Sequence, residues 1–314
     1  MNKLKNILKE QYDIEFINVS PQQGGWSALA YKVFNNNHTY FLKVYEKSRA
    51  STPKLTALID KYVPIMVWLL HNSGLNDKIP VPLLTKNNDY KCEDDDGIYL
   101  LYEYISGETI GDKNLTEEQV CGLSEIIAEL HLYGKELPIE TDAVKEDFYV
   151  LFLQQLRSTL DKEYNKVPSD VRELINPHIE QINGLIDTVE KLSVHLKNCN
   201  LRMALCHTDI HNWNLMQSGQ QLMLIDWEGL KLAPVEADIM FLIDKPYYDN
   251  FLSIYQKVHK NFVVNPTALQ FYQSRRKLED IWDLIEQLIY DNQDTQERTT
   301  TINCLTKELR DINN

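Results

Sequence analysis

The spacing of apolar residues changes along the chain and divides it into two parts. Leu4, Ile7, Leu8 and Tyr12 recur at helical spacing, which predicts an amphipathic helix at the amino terminus. Apolar runs that predict strands occupy residues 14–19, 29–34, 39–45, 99–105 and 221–225. Helical spacing returns from Thr116 and occupies residues 143–160, 169–198, 247–262 and 267–290. The pattern predicts an α+β protein with a sheet-rich first third and a mainly helical remainder.

Some helix starts have local signals. Thr116 is followed by two Glu residues and Gln119, which predicts a capped helix start. Pro64 lacks an amide hydrogen, so it predicts a kink or a start within the helix expected between residues 54 and 71. Asp238 precedes the apolar residues 239–242 and is predicted to cap their helix.

Length and composition fit a globular protein of one large domain or two lobes. The chain has 314 residues, of which 43% are hydrophobic, enough for a sizeable core. No apolar run approaches the ~18 residues of a membrane span, and the lysine-bearing amino terminus lacks the apolar region of a signal peptide. The five cysteines are widely spaced and form no C-x-x-C motif. They favour a reduced, cytoplasmic location and disfavour a structural zinc site.

The negative charge is concentrated in the second part of the chain. Residues 1–104 contain 12 Lys and Arg against 12 Asp and Glu, whereas residues 105–314 contain 20 against 34. Such a surface disfavours nucleic acid and anionic membranes and attracts small cationic molecules. Acidity that serves only solubility is an equally common explanation, so the charge shifts the expected substrate class only modestly.

The segment at residues 205–228 carries the most specific chemistry. It reads L-C-H-T-D-I-H-N-W-N-L-M-Q-S-G-Q-Q-L-M-L-I-D-W-E. Phosphoryl transfer needs a carboxylate for the acceptor hydroxyl, which suits Asp209, and oxygen ligands for Mg²⁺, which suit Asn214 and Asp226. Five residues separate Asp209 from Asn214, so a helix would turn them about 140° apart and a loop suits them better. Ser218 and Gly219 predict a turn, and the strand that follows delivers Asp226 at its end.

Each element of this motif has a structural explanation when taken alone. An H-x-D triplet is common, because His and Asp often cap helices or satisfy core hydrogen bonds. His207 is interpreted as structural, and His211 receives no catalytic role. The full combination of residue types and spacing favours a kinase-like site.

The first third offers residues suited to phosphate binding. Lys43 lies between apolar residues on a predicted strand, where burial would be costly unless the ammonium met an anion such as a nucleotide phosphate. A solvent-facing Lys on an edge strand is the alternative. Gly24 and Gly25 lie in a strand connection whose backbone N–H groups are suited to covering phosphates. The chain has no G-x-x-x-x-G-K-[ST] motif, which argues against a P-loop enzyme.

The motif resembles the signature of the aminoglycoside phosphotransferase family of small-molecule kinases. That signature is H-G-D-x-x-x-x-N followed by a strand and I-D-[WF], and this chain has H-T-D-I-H-N-W-N and L-I-D-W-E. The C-H-T-D-I-H and L-A-P-x-E-x-D patterns are similar to the spectinomycin phosphotransferase branch. The resemblance extends over the whole chain but is specific only at residues 205–241. Thr208 stands where the family usually has Gly.

The resemblance implies a two-lobed protein-kinase-like fold. Residues 1–104 would form the nucleotide-binding lobe ending in a hinge, and residues 105–314 the helical lobe with the catalytic loop and substrate cleft. The hinge would contact adenine through the backbone of Glu103 and Ile105. Kinase folds also pair the lysine with a helix glutamate, but no Glu occurs between Glu46 and Glu93, which leaves Asp60 as the candidate partner.

The expected activity is transfer of the γ-phosphate of ATP, or GTP, to a hydroxyl of an aminoglycoside or aminocyclitol antibiotic, with Mg²⁺ as cofactor. Glu228 and Glu236 are the acids nearest the motif in sequence and are the candidates for contact with a cationic substrate. Two alternatives stay open. One is a metabolic kinase of the same fold acting on choline, homoserine, methylthioribose or a similar molecule. The other is a non-catalytic nucleotide-binding protein, which the absent helix glutamate suggests.

Overall fold

The computed structural model describes residues 2–22 and 28–313. The chain divides into two compact units, each assembled from separate stretches of sequence. Unit 1 comprises the residues up to 47, residues 52–145 and residues 203–263, and unit 2 comprises residues 48–51, 146–202 and 264 onward. The lobe boundary expected at residue 104 stays a prediction. In the described residues, no helix has both the length and the apolar character needed to cross a membrane.

Unit 1 contains a five-stranded antiparallel sheet. Its strands are β1 (Asn18–Gln22), β2 (Leu29–Phe34), β3 (Thr39–Glu46), β4 (Cys92–Glu93) and β5 (Gly97–Glu103), in the order β1-β2-β3-β5-β4. Helix α1 (Asn2–Tyr12) covers one face, as its amphipathic spacing predicts. Leu42 and Val44 of β3 enter that core together with Leu8 of α1 and Leu101 of β5. Because side chains alternate along a strand, Lys43 and Tyr45 project from the opposite face.

Short strands in the rest of unit 1 flank the motif segment at residues 205–228. Strands β6 (Glu108–Thr109), β8 (Leu215–Ser218) and β9 (Gln221–Leu224) form one sheet, and β7 (Met203–Cys206) pairs with β10 (Lys231–Pro234). The hairpin between β8 and β9 was predicted, and Gly219 adopts φ +57° in its turn. Besides α1, the helices of unit 1 are α2 (Thr52–Thr56), α3 (Ile59–Asn72), α4 (Glu117–Leu130), α8 (Glu236–Ile239) and α9 (Tyr248–Val258).

Two local helix signals have clear outcomes. Thr116 caps α4, and its hydroxyl and the Gln119 side chain form the reciprocal bonds of a capping box, which confirms the prediction. Helix α3 begins at Ile59 and continues through Pro64, so the proline marks neither end of this helix.

Unit 2 is helical. Its helices are α5 (Phe152–Asp161), α6 (Ser169–Ile175), α7 (Ile179–Lys197), α10 (Pro266–Tyr290) and α11 (Thr295–Arg310). The helix predicted over residues 143–160 was too long, because Phe148 has φ +59° and the regular helix begins only at Phe152. The stretch predicted at 169–198 is interrupted by a 3₁₀ turn at Asn176–His178, where Pro177 cannot donate a backbone hydrogen bond. The α+β class, with a sheet-rich first part and a helical remainder, is confirmed.

Candidate active site

Residues 207–211 follow β7 and lead into a 3₁₀ turn at Asn212–Asn214, after which β8 begins. His207 is buried and bridges two backbone segments of this region. Its Nε2 donates to the carbonyl of Ile225 at 2.9 Å, and its Nδ1 accepts the N–H of Asp209 at 3.3 Å. An imidazole with one donor and one acceptor nitrogen satisfies both bonds in its neutral form. The ring thus braces the loop backbone on either side of the motif.

Asp209 and Asn214 are joined by two hydrogen bonds. The Nδ2 of Asn214 donates to both the carbonyl and the Oδ2 of Asp209, each at 2.9 Å. Asn214 is buried, whereas a third of the Asp209 side chain is exposed, so the carboxylate is oriented but reachable from solvent. Nε2 of His211 lies 3.4 Å from the same Oδ2. Since the amide nitrogen of Asn214 is committed to Asp209, its oxygen is the atom suited to a cation.

Asp226 is brought beside this loop by a backbone bond. The N–H of Ile225 donates to the carbonyl of Asn214 at 2.9 Å, so the two candidate metal ligands lie on adjoining segments. Asp226 itself has φ +64°, an uncommon conformation for a non-glycine residue. One amide and one carboxylate oxygen match the hard ligands that Mg²⁺ prefers, so the donor set fits this ion.

Lys43 meets two carboxylates. Its Nζ donates to Oδ1 of Asp226 at 2.8 Å and to Oε1 of Glu228, and the hydroxyl of Tyr45 donates to the same Glu228 oxygen. Burial by itself would lower the pKa of Lys43, but Asp226 and Glu228 outweigh it and hold the pKa well above its ordinary value. Burial raises the pKa of Tyr45, so its hydroxyl stays protonated as a donor. Lys43 is therefore a buried, fixed cation.

Two acidic candidates have ion-pair partners that the sequence did not indicate. Asp60, expected as the substitute for the helix glutamate, lies in α3 and pairs with Lys91 at 3.0 Å instead. Glu228, expected as a substrate contact, forms an ion pair with Lys43, and only 12% of its side chain is exposed. Because 185 residues separate Glu228 from Lys43, no local pattern in the sequence indicated this pair.

The other site candidates lie on separate elements. Glu103 ends β5 and Ile105 follows it, whereas Glu236 is buried within α8 with 5% exposure. Gly24 and Gly25 lie outside the described residues. The other predicted site residues all belong to unit 1.

The prediction that Asp238 caps a helix is wrong, and this residue instead contacts the candidate site. It lies inside α8 rather than before it, so it does not cap that helix. Its fully buried carboxylate accepts the N–H of His207 at 3.0 Å and the N–H of Thr208 at 2.6 Å. Nε2 of His131, at 3.0 Å, and Tyr255, bonded to Nδ1 of His131 at 2.8 Å, extend the network. Asp238 therefore anchors the start of the loop at residues 207–214.

Comparison with known proteins identifies the relatives of this chain. The model of the phosphotransferase enzyme family matches residues 18–270. No curated protein matches the sequence. Spectinomycin phosphotransferase APH(9)-Ia, solved with ADP and spectinomycin, is 23% identical with a TM-score of 0.74, and the match covers 99% of this chain and 98% of that one.

Two further solved structures share the fold. Choline kinase LicA from Streptococcus pneumoniae is 16% identical with a TM-score of 0.62, and the match covers 99% of this chain and 98% of that one. A microcompartment-associated aminopropanol kinase is 12% identical with a TM-score of 0.62, covering 98% and 95%. The kinase-like fold expected from the motif is confirmed by these neighbours.

Proposed function

The chain belongs to the phosphotransferase enzyme family and is a phosphotransferase acting on an alcohol group, and we propose that it moves the γ-phosphoryl group of ATP to a small cationic acceptor. The observation that carries the proposal is the arrangement of Asp209, Asn214, Asp226 and Lys43. One partly exposed carboxylate lies beside two oxygen ligands and a buried cation, which are the parts that phosphoryl transfer requires.

In this proposal Asp209 orients the acceptor hydroxyl and accepts its proton as the oxygen attacks the γ-phosphorus. The bond from the γ-phosphorus to the bridging oxygen breaks, and ADP leaves with that oxygen. Lys43 holds the α- and β-phosphates. Asn214 and Asp226 would hold Mg²⁺, which supplies charge neutralisation for the phosphates when it is bound. Backbone atoms of Glu103 and Ile105 are the proposed adenine contacts, and GTP is the alternative donor.

The proposed acceptor class rests on charge and on similar solved structures. Residues 105–314 carry 34 acidic against 20 basic side chains, which favours an amino-bearing acceptor through electrostatic steering. Among the similar structures, one binds spectinomycin. We propose an aminocyclitol or aminoglycoside antibiotic as the acceptor, which would make the protein a resistance enzyme. The choline and aminopropanol kinases among its neighbours favour small amino alcohols as the second candidate class.

The non-catalytic alternative loses its main support. It arose because α3 contains no glutamate for Lys43, but Glu228 provides that carboxylate from another segment. This pairing supports the proposed phosphate-binding role of Lys43.

The test is Mg²⁺-dependent turnover of ATP and GTP against spectinomycin, aminoglycosides and small amino alcohols. Asp209→Ala should lower kcat at least about a hundredfold, as expected for loss of a catalytic base, while nucleotide affinity is retained. The matched control is Asp95→Ala, which removes an exposed carboxylate and should leave both quantities unchanged. Wild-type protein that binds ATP but phosphorylates no member of the panel would contradict the proposed function.

A further inference from the structure

Thr208 is held in a conformation that its residue type disfavours. It lies between His207 and Asp209 and has φ +68°, in the left-handed region where a β-branched residue is a genuine outlier. Glycine, the usual residue in the related signature, would adopt this conformation without strain. A strained side chain at such a position needs surroundings that hold it and is a sign of a functional constraint.

Two hydrogen bonds hold Thr208 in place. Its N–H donates to Oδ1 of Asp238 at 2.6 Å, and its hydroxyl donates to the carbonyl of Gly229 at 2.7 Å. The second bond joins the catalytic loop to the 3₁₀ turn Trp227–Gly229, which directly follows Asp226 and contains Glu228. Glycine at 208 could keep the backbone bond, but it has no hydroxyl for the second one.

The absence of a side chain at Gly229 leaves room for the Thr208 hydroxyl. A Cβ atom at residue 229 would lie 2.4 Å from Oγ1 of Thr208 and 3.0 Å from the carbonyl oxygen of His207. Any larger residue would therefore displace the hydroxyl or the loop. Gly229 lacks a positive φ, so close approach rather than backbone conformation explains the glycine.

We propose that Thr208 is a positioning residue. The hydrogen bond from its hydroxyl to the Gly229 carbonyl, called the Thr208 tie below, sets the position of the Asp226–Gly229 segment relative to Asp209. This inference rests on the proposed function, because it concerns the alignment of the base with the metal and phosphate ligands. The tie acts on a segment that already contains a left-handed residue at Asp226 and that also supplies Glu228 to Lys43. Loss of the tie would let that segment shift away from the geometry needed for transfer.

The test compares Thr208→Val, which removes the hydroxyl but keeps the shape, with Thr208→Ser, which keeps the hydroxyl. Thr208→Val should lower kcat about tenfold or more and raise the Mg²⁺ concentration for half-maximal rate, because misplacement of reacting groups is costly. Thr208→Ser should recover most of the lost rate. The control is Thr306→Val, whose partly buried hydroxyl donates to the carbonyl of Ile302 at 2.8 Å in α11, and kcat should not change.

Two further variants protect the test against misfolding. Thr208→Gly suits φ +68°, so it should fold with little change in thermal midpoint yet show the kinetic defect of Thr208→Val. Gly229→Ala should lose both stability and kcat, and Thr208→Gly combined with Gly229→Ala should regain stability without regaining kcat. Wild-type kcat and Mg²⁺ dependence in folded Thr208→Val or Thr208→Gly would overturn the inference. An equal defect in Thr208→Ser would also overturn it.

Calorimetric titration separates this inference from the proposed function. If the wild type phosphorylates no acceptor, the proposed function fails, but ATP affinity with and without Mg²⁺ still reports on the tie. Thr208→Val should weaken the affinity for ATP in the presence of Mg²⁺ by about tenfold, for the same reason of misplaced ligands, and leave the Mg²⁺-free affinity unchanged. Equal affinities for wild type and variant under both conditions would overturn the tie.

Discussion

Lys43 on β3 forms an ion pair with Glu228, which lies 185 residues further along the chain. Only 11% of the Lys43 side chain and 12% of the Glu228 side chain are exposed. The pair is reinforced by the hydroxyl of Tyr45 on the same glutamate oxygen. Lys43 also donates a hydrogen bond to Asp226, a proposed metal ligand. Both carboxylates that hold the lysine therefore come from one short segment, because Asp226 directly precedes the 3₁₀ turn that contains Glu228.

Replacing Glu228 with Gln should weaken the hold on Lys43. The substitution keeps the size of the side chain and one acceptor oxygen but removes the charge that strengthens the bond from Lys43. We expect a loss of up to about 1.5–3 kcal/mol of unfolding free energy, the value of a hydrogen bond to a charged group. We also expect a higher KM for ATP and a lower kcat, since Lys43 can then turn fully to Asp226. Chemical denaturation and steady-state kinetics measure these effects.

The matched control is Asp60→Asn. Asp60 is more than half exposed and pairs with Lys91, so its loss should change the unfolding free energy by no more than about 0.5 kcal/mol and leave KM unchanged. If Asp60→Asn impaired turnover as strongly as Glu228→Gln, the particular importance of Glu228 for Lys43 would be contradicted.

Replacing Asp238 with Asn should disturb the catalytic loop. Both carboxylate oxygens accept backbone N–H groups of the loop, and an amide would turn its NH₂ group toward at least one of these donors. Each unsatisfied buried donor costs about 1–3 kcal/mol, so both the thermal midpoint and kcat should fall. Tyr255→Phe is the comparison, because it removes a bond on the far side of His131. It should lower the midpoint and largely spare kcat, and an equal loss of kcat would contradict a direct effect of Asp238.

The part of the candidate site within residues 205–228 could be predicted from the sequence, because its residues lie close together along the chain. The hairpin between β8 and β9 and the turn at Asn212–Asn214 bring Asp209, Asn214 and Asp226 onto adjoining segments. The roles assigned to these residues stay predictions. Thr116 and Gln119 likewise form a capping box from a four-residue signal.

Contacts between residues far apart along the chain could not be predicted from the sequence. Glu228 reaches Lys43, and Asp238 turns back to the loop, only because distant strands and helices pack together. Helix α11 was not predicted, because its polar and threonine-rich sequence gives a weak apolar stripe. Phe148 was placed within a helix, although its positive φ and the bond from its N–H to Glu146 at 2.9 Å keep that stretch non-helical.

Replacing Glu146 with Gln should strongly destabilise unit 2. Glu146 is fully buried and pairs with NH1 of Arg275 at 2.9 Å, and 18% of the Arg275 side chain is exposed. Removing the charge of Glu146 weakens a buried, charge-assisted hydrogen bond, which costs about 1.5–3 kcal/mol, while the Coulombic attraction of Glu279 still compensates part of the Arg275 charge. Glu163→Gln is the control, since Glu163 pairs with Lys166 at the same 2.9 Å but both side chains are well exposed. Its effect should stay below about 1 kcal/mol, and equal losses would refute the importance of burial.

Asp280 on α10 should make stability depend on pH in the direction opposite to an ordinary surface acid. Burial raises its pKa from 3.8 to about 6, although Arg276 at 2.8 Å opposes the shift. The folded state therefore binds this proton more tightly than the unfolded chain, and the contribution to stability falls as pH rises through this window and stays low above it. By contrast, Arg157 lowers the pKa of Asp187, whose contribution is lost as pH falls.

Asp280→Asn should accordingly raise the thermal midpoint above pH 7. A third of the Asp280 side chain is exposed, so solvent screening limits the gain to about 1 kcal/mol, or roughly 2 °C. The difference from wild type should shrink between pH 6 and pH 4 and vanish below the unfolded pKa of 3.8, where both forms are neutral. Asp187→Asn should show the reverse, with its small loss confined to higher pH. Thermal melts from pH 3.5 to 8 distinguish the two, and a stabilisation by Asp280→Asn that persisted undiminished at low pH would show that side-chain packing, not the buried charge, is responsible.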